Sequence, residues 1–278
     1  MGWTPEIYQS RIANHSARTR HPAGSPSAEE IGGYSEACDG ADSGGTALVL
    51  GMTPELRIMA ARRFRKVVAI DSSEVAINLF ADWLPESLRK KEKVIHGLWT
   101  DLDHHLTGPV AVVLGDGIVG NLPGYGTTVS VLKSFRKWLA PGGRCVMRNV
   151  IVMRDVATGR FRFTRLLEDF RAGRIDAAEF GFTARILGFH DVAYDPDREV
   201  LDNARVYAEL DAMERAGDFS AEEASAIARY RFMGTNYFPS EQSWRELLAA
   251  AGFSPPENQR NCGKLWNDYY PVQSFFPV

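Results

Sequence analysis

From residue 46 to about residue 152 the chain alternates two kinds of hydrophobic pattern. Continuous apolar runs at 46–51, 67–70 and 110–114, with a shorter one at 94–96, lack polar alternation and fit strands covered on both faces. Between them lie stretches with apolar residues three or four apart: 54–64, then Glu74 to about Trp83, then 127–139 with Val129, Leu132, Phe135 and Leu139 along one side. Pro141–Gly142–Gly143 reads as a tight turn into a strand at 144–152. This alternation predicts an α/β fold built on a doubly wound, mostly parallel sheet.

The rhythm stops after Arg154. Residues 161–233 read as successive helices, with Leu166, Leu167 and Phe170, then Val206, Leu210 and Met213, then Ala224, Ile227 and Ala228 as apolar stripes, and no strand is expected there. Ser240 caps a helix at 241–251 that Gly252 ends, and the aromatic tail 255–278 suits one or two strands. Residues 3–20 suit an amphipathic helix anchored by Trp3, Ile7 and Tyr8, whereas 22–45, rich in Gly, Ser, Pro and acidic residues, reads as a loop. The expected division is an arm or cover at 1–45, an α/β core at 46–154 and 234–278, and a helical lid at 155–233.

The charge balance narrows the function. A formal net charge of −3 and a pI near 6.1 argue against general nucleic-acid binding, which needs a basic surface to displace counterions. Arg62, Arg63, Arg65 and Lys66 sit at a helix end, where cations complement the dipole. Cys38, Cys145 and Cys262 are far apart without a CxxC pair, which suggests reduced thiols in the cytoplasm. No stretch has a secretion-signal layout or about 18 successive apolar residues, so no membrane partner is expected. His104–His105 lack companions at ligand spacing, so an exposed loop is expected there and no metal.

The chemistry lies at the strand ends. Gly51 permits a turn and close ligand approach, Thr53 suits an N-cap, Pro54 a first helical position, and Glu55 the positive helix end. Asp71 closes the second strand 20 residues after Gly51, where a carboxylate can accept hydrogen bonds from a ribose diol. The unit suits an adenosine-containing cofactor.

Those residues resemble the class I S-adenosylmethionine-dependent methyltransferases, and more narrowly a bacterial subgroup whose first motif reads Leu-Gly-x-Thr-Pro-Glu-Leu, here Leu50–Gly51–Met52–Thr53–Pro54–Glu55–Leu56. Further matching pieces follow in order: Ala69–Ile70–Asp71–Ser72–Ser73, Gly97–Leu98–Trp99, Leu114–Gly115–Asp116–Gly117 and Leu139–Ala140–Pro141–Gly142–Gly143–Arg144. Gly234–Thr235–Asn236–Tyr237–Phe238–Pro239–Ser240 and Ala251–Gly252–Phe253 complete the set. The resemblance implies a seven-stranded Rossmann-like sheet. It also implies S-adenosylmethionine as cofactor, with Gly51 and Thr53 against its methionine portion and Asp71 on the ribose hydroxyls beside Ser72. Leu98 and Trp99 would flank the adenine, and Asp116 with Gly117 would sit near the sulfonium. Two departures stand out: the first motif keeps one glycine, so Arg11 of the arm, with Tyr8, is expected to complete the site. Leu98 also stands where the family commonly has an acid, leaving Asp101 or backbone groups to meet the adenine.

The expected activity is methyl transfer to an oxygen or nitrogen of a small-molecule acceptor in bacterial secondary metabolism. His190 and Tyr237 are the candidate catalytic residues, each with a structural alternative. Trp99 equally suits packing at the sheet edge, and Asp116 a turn between glycines. A nicotinamide-dependent oxidoreductase and a non-catalytic S-adenosylmethionine-binding accessory protein remain as alternatives, and self-association into a homodimer is left open.

Overall fold

The computed structural model describes residues 24–152 and 159–278; Tyr8, Arg11 and the helix expected at 3–20 lie outside the described residues. The first described helix, α1 (Ala28–Ala37), overturns the loop expected at 22–45. Ser27 Oγ accepts from the Glu30 N–H while the Glu30 carboxylate accepts from the Ser27 N–H, a reciprocal capping box that starts the helix despite its paired glycines.

Five parallel strands follow: β1 (Thr46–Leu50), β2 (Lys66–Asp71), β3 (Glu92–His96), β4 (Val110–Asp116) and β5 (Leu139–Arg148). Helices α2 (Pro54–Arg63), α3 (Glu74–Phe80) and α4 (Tyr125–Trp138) join them. The turn expected at 141–143 is absorbed into β5, which shifts register against β4 and ends at Arg148, four residues earlier than expected. After the insertion come α9 (Glu241–Ala251), β9 (Glu257–Asn258) and β10 (Val272–Phe275), the last two antiparallel. The sheet has seven strands in the order β3-β2-β1-β4-β5-β10-β9, matching the expected architecture.

Alternation of side chains along the central strands fills both faces. Leu48, Leu50 and Val113 meet Leu132 and Phe135 of α4 and Trp244 and Leu248 of α9. Ala47, Val49, Val112 and Leu114 meet Tyr34 of α1 and Leu56 and Ala60 of α2. Burial on both faces is what makes these runs read as continuously apolar. Strand order reverses between β1 and β4, so the ligand crevice of such a sheet lies beyond their carboxyl ends.

The insertion holds α5 (Phe163–Arg171), α6 (Ala177–Leu187), α7 (Asn203–Ala216) and α8 (Ala221–Ala228) around their own core, which includes Phe163, Leu166, Phe180, Val206 and Ile227. It is not all helical: β6 (Tyr194–Asp195) pairs antiparallel with β7 (Val200–Asp202), and β7 pairs antiparallel with β8 (Thr235–Tyr237). Strands of two or three residues are too short to set a period-two pattern, which is why the sequence hides them. Among the described residues no helix is long and apolar enough to cross a membrane.

One buried ion pair fastens α2 to β3. Arg57 Nε and Nη2 donate to the two oxygens of Glu92 at 2.8 and 2.6 Å, and Nη1 donates to the Phe80 carbonyl at 2.7 Å. Removing one partner of such a pair strands a buried charge at a cost of about 3–5 kcal/mol. Glu92→Ala is therefore expected to lower the urea unfolding free energy by that amount, with Arg57→Met/Glu92→Leu recovering most of it. A Glu92→Ala loss below about 1 kcal/mol, the range of an exposed pair, would contradict this.

Candidate functional site

The first cluster forms where β1 turns into α2. Gly51 N–H donates to the Ile70 carbonyl at 2.8 Å, continuing the β1–β2 register by one residue and setting Gly51 beside Asp71. Gly51 has φ of 86°, the left-handed region. A Cβ there would lie 3.7 Å from Asp71 Oδ2, an ordinary contact, so glycine is needed for the backbone conformation and not for lack of room. Thr53 occupies the N-cap position before Pro54, but its hydroxyl makes no capping bond, a departure from the expected cap.

Asp71 is half-buried, and Oδ1 accepts from the Ser73 N–H at 2.8 Å. Burial raises its pKa, partly offset by the N–H groups of Ser73 and Met52. Ser73 Oγ in turn caps α3 by accepting from the Ala76 N–H at 3.2 Å. Ser72 is exposed, its carbonyl 3.1 Å from His96 Nε2. Trp99 Nε1 donates to the Ile70 carbonyl at 3.0 Å, the same oxygen that receives Gly51, and its ring packs against the core. Leu98 beside it is 51% exposed. Gly51, Asp71, Ser72, Leu98 and Trp99 are thus gathered at adjoining strand ends, and the carboxylate with its N–H neighbours is of a kind that can hold a ribose diol.

The second cluster lies at the ends of β4 and β5. Arg148 Nε and Nη2 donate to Asp116 Oδ1 and Oδ2 at 2.8 and 3.1 Å, and Tyr270 OH donates to Oδ1 at 2.7 Å. Nη1 of the guanidinium meets Glu30 Oε1 at 2.8 Å, and Nη2 also donates to the Gly24 carbonyl at 2.6 Å. Trp266 Nε1 and Asn267 Nδ2 also donate to Glu30 Oε1, at 3.0 and 3.3 Å. The guanidinium lies over the Tyr270 ring, 4.3 Å from its centroid, and Tyr34 OH donates to the Gly115 carbonyl at 2.7 Å. Gly117 has φ of 66°, and a Cβ there would come within 3.0 Å of Tyr270 OH.

One guanidinium thus faces two carboxylates with side chains at most 9% exposed. Burial pushes the Glu30 carboxyl up, but the Arg148 charge and the donors around it outweigh this and hold it below its usual range. Burial and the Asp116 charge drive the Tyr34 and Tyr270 hydroxyls well above theirs, so both stay donors. Sequence reasoning missed Glu30, Tyr34, Arg148 and Tyr270. Signals did exist: the Ser27-x-x-Glu30 box, and an arginine inside the apolar run 145–152.

The catalytic candidates make contacts of their own. His190 stacks on Tyr194 with centroids 4.3 Å apart, and its buried Nε2 has no hydrogen-bond partner among the described residues. Burial lowers its pKa. Tyr237 OH donates to Glu199 Oε2 at 3.1 Å, and burial together with that carboxylate raises its pKa. Neither bonds to Asp71 or Asp116. His104 pairs with Asp101, and the His105 ring packs on Gly97. Among the described residues no group of three or more His, Cys, Asp or Glu side chains is arranged to hold a metal ion.

No protein-family model matches the chain, and no curated protein matches it. Solved structures do. The CcbJ methyltransferase from Streptomyces caelestis aligns over 99% of this chain and 100% of its own at 12% identity, with a TM-score of 0.58. A Rhodobacter sphaeroides protein described as a Zn-dependent alcohol dehydrogenase aligns over 99% and 97% at 14% identity, TM-score 0.56. A DhpI–SAH complex aligns over 98% and 94% at 13% identity, TM-score 0.49. The likeness is one of fold.

Because Glu30 is held below its ordinary value of 4.5, its contribution to stability is present above that pH and is lost as pH falls through the lower folded value. Urea midpoints measured from about pH 6 down to about pH 3 should therefore fall less steeply in Glu30→Gln than in the wild type. Parallel curves would contradict this account of the network.

Proposed function

We propose that the chain transfers a methyl group from S-adenosylmethionine to an oxygen or nitrogen of a small-molecule acceptor, as part of bacterial secondary metabolism and within the subgroup marked by the Leu-Gly-x-Thr-Pro-Glu-Leu motif. The observation that carries the reading is the pairing of Gly51 with Asp71 at neighbouring parallel strand ends, where the sheet order reverses. The name of the Streptomyces caelestis relative supports it.

When bound, S-adenosylmethionine supplies an electrophilic methyl on a sulfonium that leaves as a neutral thioether. Asp71 would accept the ribose hydroxyls, with Ser72 beside it, while Gly51 and Thr53 flank the methionine portion and Leu98 and Trp99 the adenine. Asp116, Arg148 and Glu30 together carry one net negative charge, two carboxylates against one guanidinium. Placed at the end of β4, that charge would favour a cationic donor over its neutral product. Gly117 keeps the approach to Tyr270 open. The residues have little covalent work to do beyond alignment and exclusion of water, and His190 and Tyr237 are the candidates for taking a proton from the acceptor.

An oxidoreductase reading has the name of the Rhodobacter sphaeroides structure on its side, but the turn after β1 disfavours it. A dinucleotide diphosphate needs a glycine-rich turn, whereas here Pro54 begins α2 three residues after a single glycine.

Calorimetric titration of the full chain with S-adenosylhomocysteine should show binding, and NADH should show none. A hydrogen bond to a charged acceptor contributes about 1.5–3 kcal/mol, so Asp71→Ala should weaken binding about tenfold or more. Since burial raises the Asp71 pKa and the ionised form is the better acceptor, affinity should decline with falling pH from above the ordinary aspartate value of 3.8. Folded protein that ignores S-adenosylhomocysteine would overturn the reading.

A further inference from the structure

Where the insertion meets the core, a cavity of about 360 Å³ opens between the start of α1, α6, the end of α8 and the segment 264–266. That volume is in the range of small-molecule sites, which favour junctions of this kind. Arg148 forms part of the wall, so the cavity abuts the Asp116 network at the end of β4. On the insertion side the wall is aromatic. Phe182 of α6 is 8% exposed and meets the Tyr230 and Trp266 rings at centroid distances of 5.3 and 5.9 Å. Trp266 is pinned in place by its Nε1, which donates to Glu30 Oε1 at 3.0 Å.

Three cations line this cavity among the described residues, and two of them are neutralised. Arg148 faces Glu30 and Asp116, and Lys264 Nζ lies 2.7 Å from Asp176 Oδ2. Arg229 is different. It is exposed, and no ion pair or hydrogen bond engages it among the described residues. Arg231, two residues on, has partners away from the cavity lining: Asp211 Oδ1 at 3.5 Å and the Tyr207 ring, 4.7 Å from its centroid. Arg229 caps the C-terminal end of α8, where a cation complements the helix dipole. A side chain extended into solvent would serve the dipole equally well, so the dipole does not account for its place on the cavity wall.

We propose that this cavity binds a small aromatic acceptor bearing an oxyanion, a carboxylate or a phosphate, with its ring against Phe182 and Trp266 and its anion on Arg229. The word acceptor rests on the methyl-transfer reading; the oxyanion site does not. A flat ring gains apolar contact from the aromatic wall, and the planar guanidinium fork takes two oxygens of either anion. Because Arg229 is exposed, water screens the pair, and the charge contributes a severalfold preference, not one of many orders of magnitude.

The test titrates the full chain calorimetrically with benzoate and phenyl phosphate, with benzamide as the neutral match, with acetate and inorganic phosphate as ringless anions, and separately with S-adenosylhomocysteine. The tighter of benzoate and phenyl phosphate identifies the anion. It should bind about fivefold or more tightly than benzamide, a difference of about 1 kcal/mol, and more tightly than its ringless counterpart. Arg229→Gln should erase the preference over benzamide while S-adenosylhomocysteine affinity stays as in the wild type. Arg231→Gln removes the same charge two residues away and should keep the preference. Should Arg229→Gln fail to fold, Arg229→Lys, which keeps the charge but loses the fork, should reduce the preference. Equal binding of the anions and benzamide, no binding of any, ringless anions as tight as ring-bearing ones, an unchanged preference in the folded Arg229 variants, or an equal loss in Arg231→Gln would overturn the proposal. A wild-type chain that ignores S-adenosylhomocysteine yet shows the Arg229-dependent preference would overturn methyl transfer and leave the oxyanion site standing.

Discussion

The carbonyl oxygen of Ile70 holds the candidate site together. It accepts from the Gly51 N–H at 2.8 Å and from Trp99 Nε1 at 3.0 Å, filling both lone pairs of one buried acceptor. Two segments distant in sequence, the end of β1 and the loop after β3, thereby converge on the end of β2 beside Asp71. The parallel register upstream, Leu50 against Ile70, leaves Gly51 nowhere to go but beside that carboxylate. A slip of one residue would exchange the two buried faces of β1, setting Ala47 and Val49 against α4 and α9 and Leu48 and Leu50 against α1 and α2, so the hydrophobic core enforces the geometry of the polar edge.

A second tie acts across the sheet. Arg148 joins the end of β5 to Asp116 of β4, to Glu30 of α1 and to the carbonyl of Gly24. The helix α1 is therefore part of the core assembly and not a detachable cover, since its Glu30 is fully buried and its Tyr34 reaches the backbone of β4. Tyr270, held between the Arg148 guanidinium and the aromatic side chains of the insertion, carries the connection onward to α6. Strand ends, capping helix and insertion thus share one network of buried donors and acceptors, in which each charge is costly unless its neighbours remain in place.

The parts of this arrangement that local patterning encodes could be read directly from the residues. The apolar runs of β1, β2 and β4 announced a parallel sheet because both faces are covered, and Gly252 ended α9 in the left-handed conformation, as its position suggested. Gly51 and Asp71 could be placed because turn chemistry and strand length fix their separation. The Glu30–Arg148–Asp116 network could not, for its members lie far apart in sequence and meet only through tertiary packing. Asp116 was singled out for its position at the carboxyl end of β4, but not the guanidinium and phenol that occupy its carboxylate. The helix α1 was overlooked because Gly32 and Gly33 dilute its helical pattern, although its capping box was there in the sequence. The short β6–β7–β8 sheet was hidden because its order comes from pairing and from Glu199, whose carboxylate accepts from Tyr237 OH and the Ser240 N–H.

The central claim is that a nucleoside sugar is gripped at the tip of β2. Its most direct measurement is a crystal structure of the full chain with S-adenosylhomocysteine, read at the Asp71 carboxylate. The account predicts ribose hydroxyl oxygens within hydrogen-bond distance of it, about 2.5–3.0 Å, with the Gly51 turn against the amino-acid tail. A nucleoside seated elsewhere, or a ribose making no contact with Asp71, would contradict it.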